Sequence, residues 1–266
     1  MKIASLKKIK PKKLIVFDLD GTLVYTKSDI DSEMKNLFMK LLEMKKVAVI
    51  GGGKYQLFKS LLVRHLKGSK KLLKNLFLFP TTSTAFYRYN NGWQKIYEHQ
   101  LPKSQRERIK KTFERVFTEL GYKHPVKTYG KLIEDRLTQV TFSVYGQDIV
   151  KALGKKGVQI KNKWKEENTP LKMKMSRLMA KYLPELDVRA AGHTSIDVTK
   201  KGLDKAFGLR QIEKHIGVKI KDMLFIGDAI YPGGNDYAVT KTKVDYFPIS
   251  GPPQVKQIIK QIIKNS

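Results

Sequence analysis

The sequence contains no cysteine, little acidic charge and no long hydrophobic run. The absence of Cys among its 266 residues excludes disulfides, thiolate metal sites and a cysteine nucleophile, and it fits a reducing compartment. No apolar run approaches the roughly 20 residues that a transmembrane helix needs. The basic segment Met1–Lys13 leads into only a short apolar stretch before Asp18, unlike a secretion signal. We therefore expect a cytoplasmic protein with no membrane partner.

The small number of acidic residues leaves a large positive charge. The chain has 53 Lys and Arg against 24 Asp and Glu, a formal net charge of +29. Such a charge favours a nucleic-acid partner, but the lysines are spread along the whole chain and no recognised nucleic-acid motif accompanies them. An evenly basic surface also attracts small phosphate esters. We therefore expect a small anionic substrate, and a nucleic-acid-binding protein on a reused fold is the alternative.

The chain does contain a repeated alternation of buried strands and amphipathic helices, with 41% hydrophobic residues available for a core. Three short apolar runs, at 14–17, 47–50 and 76–79, are typical of strands buried on both faces of a parallel sheet. Predicted helices at 30–44 and 54–66 separate them. This pattern predicts an α/β fold with a Rossmann-like, doubly wound parallel sheet and right-handed crossovers.

The middle of the chain has a different pattern. The hairpin signal Asn90-Asn91-Gly92 is followed by a predicted helix at 104–120, with Ser104 as its N-cap. Shorter strands and a helix at 173–182 complete this region, and the α/β pattern then returns. We predict a catalytic core formed by residues 1–88 and 188–266, interrupted at 89–187 by an inserted α+β cap that sets substrate specificity.

Two acidic residues follow the first buried strand directly, in Phe17-Asp18-Leu19-Asp20-Gly21-Thr22-Leu23. Ligands of open α/β sheets bind at the carboxyl ends of strands, and alternate residues there can converge on one point. Two converging carboxylates repel each other, so a cation is expected between them, and their hard oxygens suit Mg²⁺. One carboxylate can then form an aspartyl-phosphate while the other transfers protons. The alternative is a solvated acidic turn.

A second acidic loop follows another buried strand, in the segment from Gly227 to Asp236. Asp228 is well placed to be a metal ligand, and Asn235 and Asp236 can complete or orient the coordination shell. A glycine-rich loop whose acidic residues are incidental is the alternative.

Two further features fit phosphate chemistry. Gly51-Gly52-Gly53-Lys54 ends a predicted strand and precedes a helix, so its backbone amides can cradle a phosphate; a tight turn that needs glycine explains it equally well. Lys205 begins a helix and can neutralise a phosphate and the nucleophile. In so lysine-rich a chain, a solvated surface lysine is the alternative.

Taken together, these motifs resemble the haloacid dehalogenase (HAD) superfamily, subclass IIB, and within it the eukaryotic-type phosphomannomutase family over nearly the whole chain. The resemblance rests on the two acidic loops and on the shorter motifs Val49-Ile50-Gly51-Gly52, Ile133-Glu134-Asp135-Arg136, Ser195-Ile196-Asp197-Val198 and Gly202-Leu203-Asp204-Lys205. The spacer Pro232-Gly233-Gly234 is its most specific part. The resemblance implies a C2b-type cap, Mg²⁺ as cofactor and a sugar phosphate as substrate, and a homodimer is compatible with it.

The resemblance also implies roles for individual residues. Asp18 becomes the phosphorylated nucleophile, Asp20 the acid/base and Lys205 the signature lysine of the family. The resemblance places the metal ligands in the two acidic loops. It places the phosphate or substrate contacts in the glycine turn, in the loop after the first strand and in the cap. The implied metal ligands are Asp18, Asp20 (through its carbonyl), Asp228, Asn235 and Asp236, and the implied phosphate or substrate residues are Thr22, Gly51, Gly52, Arg136, Ser195 and Asp197.

The chain departs from the mutases at positions that matter for a bisphosphate. Gly53 stands where they carry a serine, and Tyr129 and Gln147 stand where they carry cap arginines. A mutase must hold a bisphosphate in two orientations, which needs strong anion contacts at its distal end. We therefore predict a Mg²⁺-dependent phosphatase of sugar phosphates or similar small esters. A phosphomannomutase that interconverts mannose 1-phosphate and mannose 6-phosphate is the alternative.

Overall fold

The computed structural model describes residues 12–25, 28–66 and 70–265. Most of the basic segment Met1–Lys13, for which the sequence predicted no secretion signal, lies outside the described residues. The chain divides into two compact units. The first unit contains the described residues up to Glu98 and from Asp204 onward, and the second contains His99–Leu203.

The described residues form strands and helices, the longest of which is a helix of 28 residues. In chain order the elements are β1 (Leu14–Asp18), α1 (Ser32–Met44), β2 (Lys46–Ile50), α2 (Tyr55–Leu61), α3 (Lys70–Leu73), β3 (Leu76–Phe79), α4 (Pro80–Ser83), β4 (Ala85–Tyr89), β5 (Trp93–Glu98), α5 (Lys103–Glu119), β6 (Ile133–Asp135), β7 (Gln139–Ser143), α6 (Ile149–Leu153), α7 (Lys155–Tyr182), β8 (Leu186–Ala191), β9 (Ser195–Lys200), α8 (Lys205–Ile216), β10 (Met223–Gly227), β11 (Asp245–Pro248) and α9 (Pro252–Lys264). Short 3-10 turns lie at Val63–His65, Ile220–Asp222 and Tyr237–Lys241.

Within the described residues, the first unit contains a seven-stranded sheet in the order β11-β10-β1-β2-β3-β4-β5. The strands from β11 to β3 are parallel, and the hairpin β4–β5 adds two antiparallel strands at one edge. Alternate residues of the central strand enter different cores: Ile15 and Phe17 pack on the side of α1 and α9, whereas Leu14 and Val16 pack on the side of α8. Because both faces are buried, β10 and the part of β1 up to Phe17 are continuous apolar runs.

Among its described residues, the second unit holds a four-stranded antiparallel sheet in the order β6-β7-β9-β8. Its apolar core packs strand residues such as Val140, Phe142 and Ile196 against residues of α5 and α7, including Phe113 and Met179. On β7 and β9 the opposite set of strand positions is polar, as in the pairs Thr141–Asp197 and Ser143–Ser195. The fold class that the sequence predicted, an α/β sheet with an added α+β unit, is confirmed.

The boundaries of the two units differ from the division at 88/89 and 187/188 that the sequence suggested. The first unit extends to Glu98 and resumes at Asp204. The physical reason is strand pairing: β5 pairs with β4 in the seven-stranded sheet, and β8 and β9 pair with each other beside β7 in the small sheet.

Two helix predictions are also corrected. Helix α7 begins at Lys155, not near residue 173. The prediction missed its first half because that half is a lysine-rich surface segment without a continuous apolar stripe. Helix α5 begins one residue before Ser104, and Pro102 occupies its N-cap position. None of the described helices is both long and apolar enough to cross a membrane. The cytoplasmic location stays a prediction.

Candidate active site

Strand register brings the predicted catalytic segments to one edge of the large sheet. Asp18, the last residue of β1, lies opposite Ile50 of β2, so Gly51 follows at the same level. On the other side, Phe17 lies opposite Ile226 of β10, so Gly227 and Asp228 leave the sheet beside Asp18. This edge is formed by the carboxyl ends of parallel strands, where open α/β sheets bind their ligands.

The turn after β1 is shaped by Gly21. Its amide donates a hydrogen bond to the carbonyl of Val24 at 2.8 Å, and its φ of +85° is left-handed, which favours glycine. A Cβ atom here would lie only 2.5 Å from Asp228 Oδ2. Gly21 therefore lets the two acidic loops approach each other. Thr22 is fully buried in the same turn, and its Oγ1 has no hydrogen-bond partner.

A buried lysine connects the two acidic loops. Lys205 begins α8, where the Asp204 carboxylate caps the helix by accepting a hydrogen bond from Phe207 N at 2.8 Å. Its ammonium is wholly buried and donates hydrogen bonds to Asp18 Oδ1 and Asp236 Oδ1. Burial alone lowers the pKa of Lys205, but the adjacent Asp18 and Asp236 carboxylates outweigh it and raise the pKa. Lys205 therefore stays charged.

Asp236 is held on both carboxylate oxygens. Oδ1 accepts from Lys205, and Oδ2 accepts from the backbone N–H of Ala229 at 3.0 Å. A Cβ on Gly227 would lie 2.3 Å from Asp236 Oδ2, so glycine is needed for this approach. Asn235 is half-buried in the same loop. These contacts suit Asp236 to orienting its neighbours.

The carboxyl groups of Asp18 and Asp228 both have raised pKa values. Burial raises the pKa of Asp18 well above its ordinary value, and the charges of Asp236 and Asp228 add to this against the opposing effect of Lys205. Asp228 exposes part of its surface, yet burial of its carboxyl, followed by repulsion from Asp236, raises its pKa to about 6. Asp20 is close enough to contribute to that repulsion. The single positive charge of Lys205 does not neutralise the negative charge of these carboxylates.

The donor set fits a magnesium ion. Among the described residues, no group of three or more His, Asp or Glu side chains is arranged to hold a metal. Magnesium, however, is usually bound through one or two carboxylates together with water and substrate phosphate. Asp18 and Asp228 supply two hard oxygen donors whose mutual repulsion a divalent cation would relieve.

The glycine turn after β2 is held by a segment that the sequence did not single out. The backbone N–H of Thr82 donates to Gly51 O at 2.9 Å, and that of Thr81 donates to Gly53 O at 2.8 Å. Both threonines and Ser83 are buried and left-handed, with φ of 47°, 56° and 69°. Left-handed β-branched residues are rare and costly, and they concentrate at functional sites.

Three predicted substrate residues lie in the second unit. Arg136 follows β6 and donates from Nε to Glu134 Oε2 at 2.7 Å and from Nη2 to Gln147 Oε1 at 2.9 Å. Asp197 of β9 is buried and accepts a hydrogen bond from Thr141 Oγ1 at 2.8 Å. Burial raises the pKa of Asp197, against the opposing charge of Arg136. Ser195 is half-buried at the start of the same strand.

A second guanidinium near Asp197 was missed. Arg189 of β8 lies opposite Asp197 in the strand register and lowers the pKa of that carboxyl through its charge, less than burial raises it. It donates to Asp187 Oδ2 at 2.7 Å and to Thr199 Oγ1 at 3.0 Å. The sequence did offer a signal for Arg189. It lies two residues after Asp187 on a predicted strand, so the two side chains are expected on the same face of the sheet.

Comparisons with known proteins identify relatives over most of the chain. The phosphomannomutase of Drosophila melanogaster is 26% identical over 259 residues, covering 94% of this chain and 95% of that protein. The phosphomannomutase of Saccharomyces cerevisiae is 23% identical over 236 residues, covering 87% and 86%. The resemblance found in the sequence therefore extends over most of both relatives.

Among solved structures, an IMP-nucleotidase of Plasmodium falciparum with bound IMP superposes with a TM-score of 0.71 at 16% identity, covering 97% of this chain and 70% of that one. A haloacid dehalogenase-like hydrolase from Bacteroides thetaiotaomicron gives 0.59 at 15% identity, covering 93% and 92%. These likenesses establish the fold. The model of the haloacid dehalogenase-like hydrolases matches residues 15–265. The chain therefore belongs to that family, which confirms the superfamily and the class of enzyme, phosphatase or phosphotransferase, that the sequence predicted.

Proposed function

We propose that this enzyme is a Mg²⁺-dependent phosphatase that hydrolyses sugar phosphates or similar small phosphate esters through an aspartyl-phosphate on Asp18. The observation that supports this most strongly is the buried ammonium of Lys205, which hydrogen-bonds both Asp18 and Asp236. Because this charged lysine is shielded from water and hydrogen-bonds the aspartate at the end of β1, it holds the Asp18 carboxylate in one orientation. It also provides fixed positive charge where a phosphoryl group would arrive.

In the first step, a carboxylate oxygen of Asp18 attacks phosphorus in line with the ester oxygen. The new Asp18 O–P bond forms as the P–O bond to the sugar breaks. Asp20, in its protonated form, donates its proton to the departing ester oxygen, which leaves as an alcohol. Lys205 keeps Asp18 oriented during this step and offsets the negative charge around it.

In the second step, Asp20 is a carboxylate and takes a proton from water. The water oxygen attacks phosphorus, the Asp18 O–P bond breaks, and inorganic phosphate leaves while the Asp18 carboxylate is restored. The proposed Mg²⁺ ligands are the carboxylates of Asp18 and Asp228 and the carbonyl of Asp20. Bound there, the ion would supply positive charge to the phosphoryl oxygens.

We favour hydrolysis over transfer of the phosphoryl group back to the sugar because of residues in the second unit. The Arg136 guanidinium already donates to Glu134 and Gln147, so its charge is partly offset. Gln147 and Tyr129 stand where the mutases that the chain resembles carry arginines. We infer that Arg136, Ser195 and Asp197 contact a monophosphate sugar rather than retain a bisphosphate, whose second phosphate needs several guanidinium donors.

A phosphomannomutase is the second candidate. It is favoured by the similarity to phosphomannomutases over most of the chain, 94% in the case of the Drosophila protein. The first step is the same for both candidates. They differ only in whether water or the other hydroxyl of the sugar takes the phosphoryl group from Asp18.

Phosphorus NMR of the full chain with mannose 1-phosphate and Mg²⁺ distinguishes the two candidates. We expect free phosphate, with or without a hexose bisphosphate. Formation of mannose 6-phosphate only when the bisphosphate is present would establish the mutase instead. If mannose 1-phosphate is inert, a panel that includes other hexose phosphates and inosine monophosphate follows, and no turnover of any member would contradict both candidates.

The nucleophile is tested separately with Asp18→Asn. We expect no detectable turnover together with a native melting transition, because the amide keeps the shape of the side chain but cannot attack phosphorus. Full turnover in a variant that melts like the wild type would disprove the role of Asp18.

A further inference from the structure

One face of helix α7 carries three lysines and a serine. Lys161, Lys165, Lys172 and Ser176 are spaced by four, seven and four residues, which places them within an arc of about 60° on an α-helix. Lys161 and Lys172 are only 4% and 7% exposed, whereas Lys165 is exposed. Buried lysines are uncommon in proteins. This face therefore runs from the interior of the second unit to solvent.

The turn between β8 and β9 lies against this face. Lys172 Nζ donates hydrogen bonds to the backbone carbonyls of Gly192 at 2.8 Å and His193 at 3.3 Å. The charges of Lys165, Lys161 and Lys172 all act on the imidazole of His193. We call Lys161, Lys165, Lys172 and His193 the lysine cluster.

Polar atoms around the lysine cluster are left without partners. His193 Nδ1, Thr194 Oγ1 and Ser176 Oγ are buried and have no hydrogen-bond partner. Thr194 is 1% exposed and follows His193 in the turn, and Ser176 is 8% exposed and lies one helical turn after Lys172. Buried polar atoms are nearly always paired in folded proteins, and an unpaired group calls for a ligand, an ion or water. Here three of them occur next to a group of cations.

Every charge that acts on His193 and Lys172 is positive. Burial, followed by the charges of Lys165, Lys161 and Lys172, lowers the pKa of His193 to about 4. Burial and then Lys165 lower the pKa of Lys172 to about 8. No carboxylate is among the causes of either shift. The acidic residues of the same helix, Glu166 and Glu167, are exposed, and Glu167 lies 3.8 Å from Lys163.

We propose that the lysine cluster is a binding site for a small phosphate-class anion, either inorganic phosphate or the phosphate group of a monoester. Ammonium and hydroxyl groups that are contributed by a helix and the adjoining turn suit an anion with several oxygens, and lysine binds phosphate as a point charge. Each of these residues lies in the second unit, and none of them belongs to the predicted catalytic set. The site does not depend on the proposed phosphatase activity.

Occupancy of this site has a structural consequence for β9. The turn that Lys172 holds leads directly into Ser195 and Asp197. An anion bound to the turn would restrict the start of that strand and hence those two side chains.

The test is a titration of the full chain with inorganic phosphate at constant ionic strength and pH 7, followed through the Cε1–H resonance of His193 in ¹³C-histidine-labelled protein. His193→Gln identifies the resonance. We expect a saturable shift in the wild type. Lys165→Met should weaken binding at least about tenfold. Lys165 is chosen because it is exposed, so its loss should leave the fold unchanged, as a melting curve will show.

The matched control is Lys174→Met, which removes an exposed lysine from the other side of the same helix and should bind phosphate like the wild type. A second titration with glucose 6-phosphate shows whether the site prefers free phosphate or a monoester. A shift that does not saturate would overturn the proposal. Equal affinity in the wild type and Lys165→Met, or equal weakening in Lys174→Met, would overturn it too.

Discussion

Lys205 and Asp18 form an ion pair that is sealed from solvent, with side-chain exposures of 0% and 5%. The same ammonium also binds Asp236, whose side chain is fully buried. Two buried carboxylates thus share one buried cation. Such groups contribute little net stability compared with apolar residues, but removal of the shared cation leaves both carboxylates buried without a counter-charge. The arrangement is therefore better explained by chemistry at Asp18 than by stability.

Lys205→Met should lower the free energy of unfolding by about 3–5 kcal/mol, because it leaves Asp18 and Asp236 buried without their cation. Urea denaturation measures this loss, and activity should disappear with it. The control is Lys219→Met, which removes a lysine that is 70% exposed and should change stability by less than about 0.5 kcal/mol. Equal stability of the two variants would show that the ion pair is not formed in solution.

Gly21→Ala should lower catalytic activity by more than its effect on stability explains. The left-handed φ of +85° costs alanine about 1–2 kcal/mol, and the new methyl group would meet Asp228 Oδ2 at 2.5 Å. We expect kcat/KM to fall by about tenfold or more, since Asp228 must move.

The control for this prediction is Gly217→Ala. Gly217 has a similar φ of +75°, ends helix α8 and would present its Cβ to open space. It should lose comparable stability, by about 1–2 kcal/mol, with unchanged kcat/KM. Parallel losses of activity in both variants would mean that backbone strain, and not the contact with Asp228, is responsible.

Magnesium should stabilise the protein as well as activate it. A ligand that binds only the folded state adds about 2.7 kcal/mol at one hundred times its dissociation constant, so the melting temperature of EDTA-treated protein should rise when Mg²⁺ is added. Asp228→Asn should abolish this rise, because it removes a proposed ligand. Glu43→Gln, at an exposed position of the same unit, should retain it. A rise that persists in Asp228→Asn would place the ion elsewhere.

The parts of the fold that the sequence predicted well are those in which one physical signal dominates. Leu76–Phe79 is predicted at its observed bounds because a strand buried on both faces must be apolar throughout. The positions of the acidic loops are predicted for a related reason: Asp18 and Asp228 directly follow apolar runs, and the structure places both at the carboxyl ends of neighbouring parallel strands. The position of such residues can be predicted from the chain alone, whereas their catalytic roles stay predictions.

Features that depend on tertiary contacts could not be predicted. The left-handed Thr81 and Thr82 contradict the preference of β-branched residues, and they are held by backbone hydrogen bonds to the Gly51–Gly53 turn. Lys205 was named from the sequence, but its hydrogen bond to Asp236 was not, because it joins positions 31 residues apart. The assignment of β8 and β9 to the small sheet likewise depends on a partner, β7, that lies far away in sequence.

A last prediction concerns acid stability and His193. Its pKa is lowered to about 4 in the folded protein, by burial and then by three lysines, whereas an unfolded histidine titrates near about 6.5. Between these values the unfolded chain binds the extra proton, so stability is complete above pH 6.5 and falls as the pH is lowered toward 4. The slope from this one group is at most about 1.4 kcal/mol per pH unit.

His193→Gln keeps a polar side chain that does not titrate, so it should remove this contribution. Urea unfolding of both proteins at several values between pH 7 and pH 4 gives the difference in their free energies of unfolding. That difference should change in favour of the variant as the pH falls, whatever the offset between the two proteins at pH 7. Carboxylates that titrate in the same range cancel in the subtraction, because both proteins contain them. A difference that stays constant with pH would show that His193 is not held neutral, and that the lysines do not crowd it in solution.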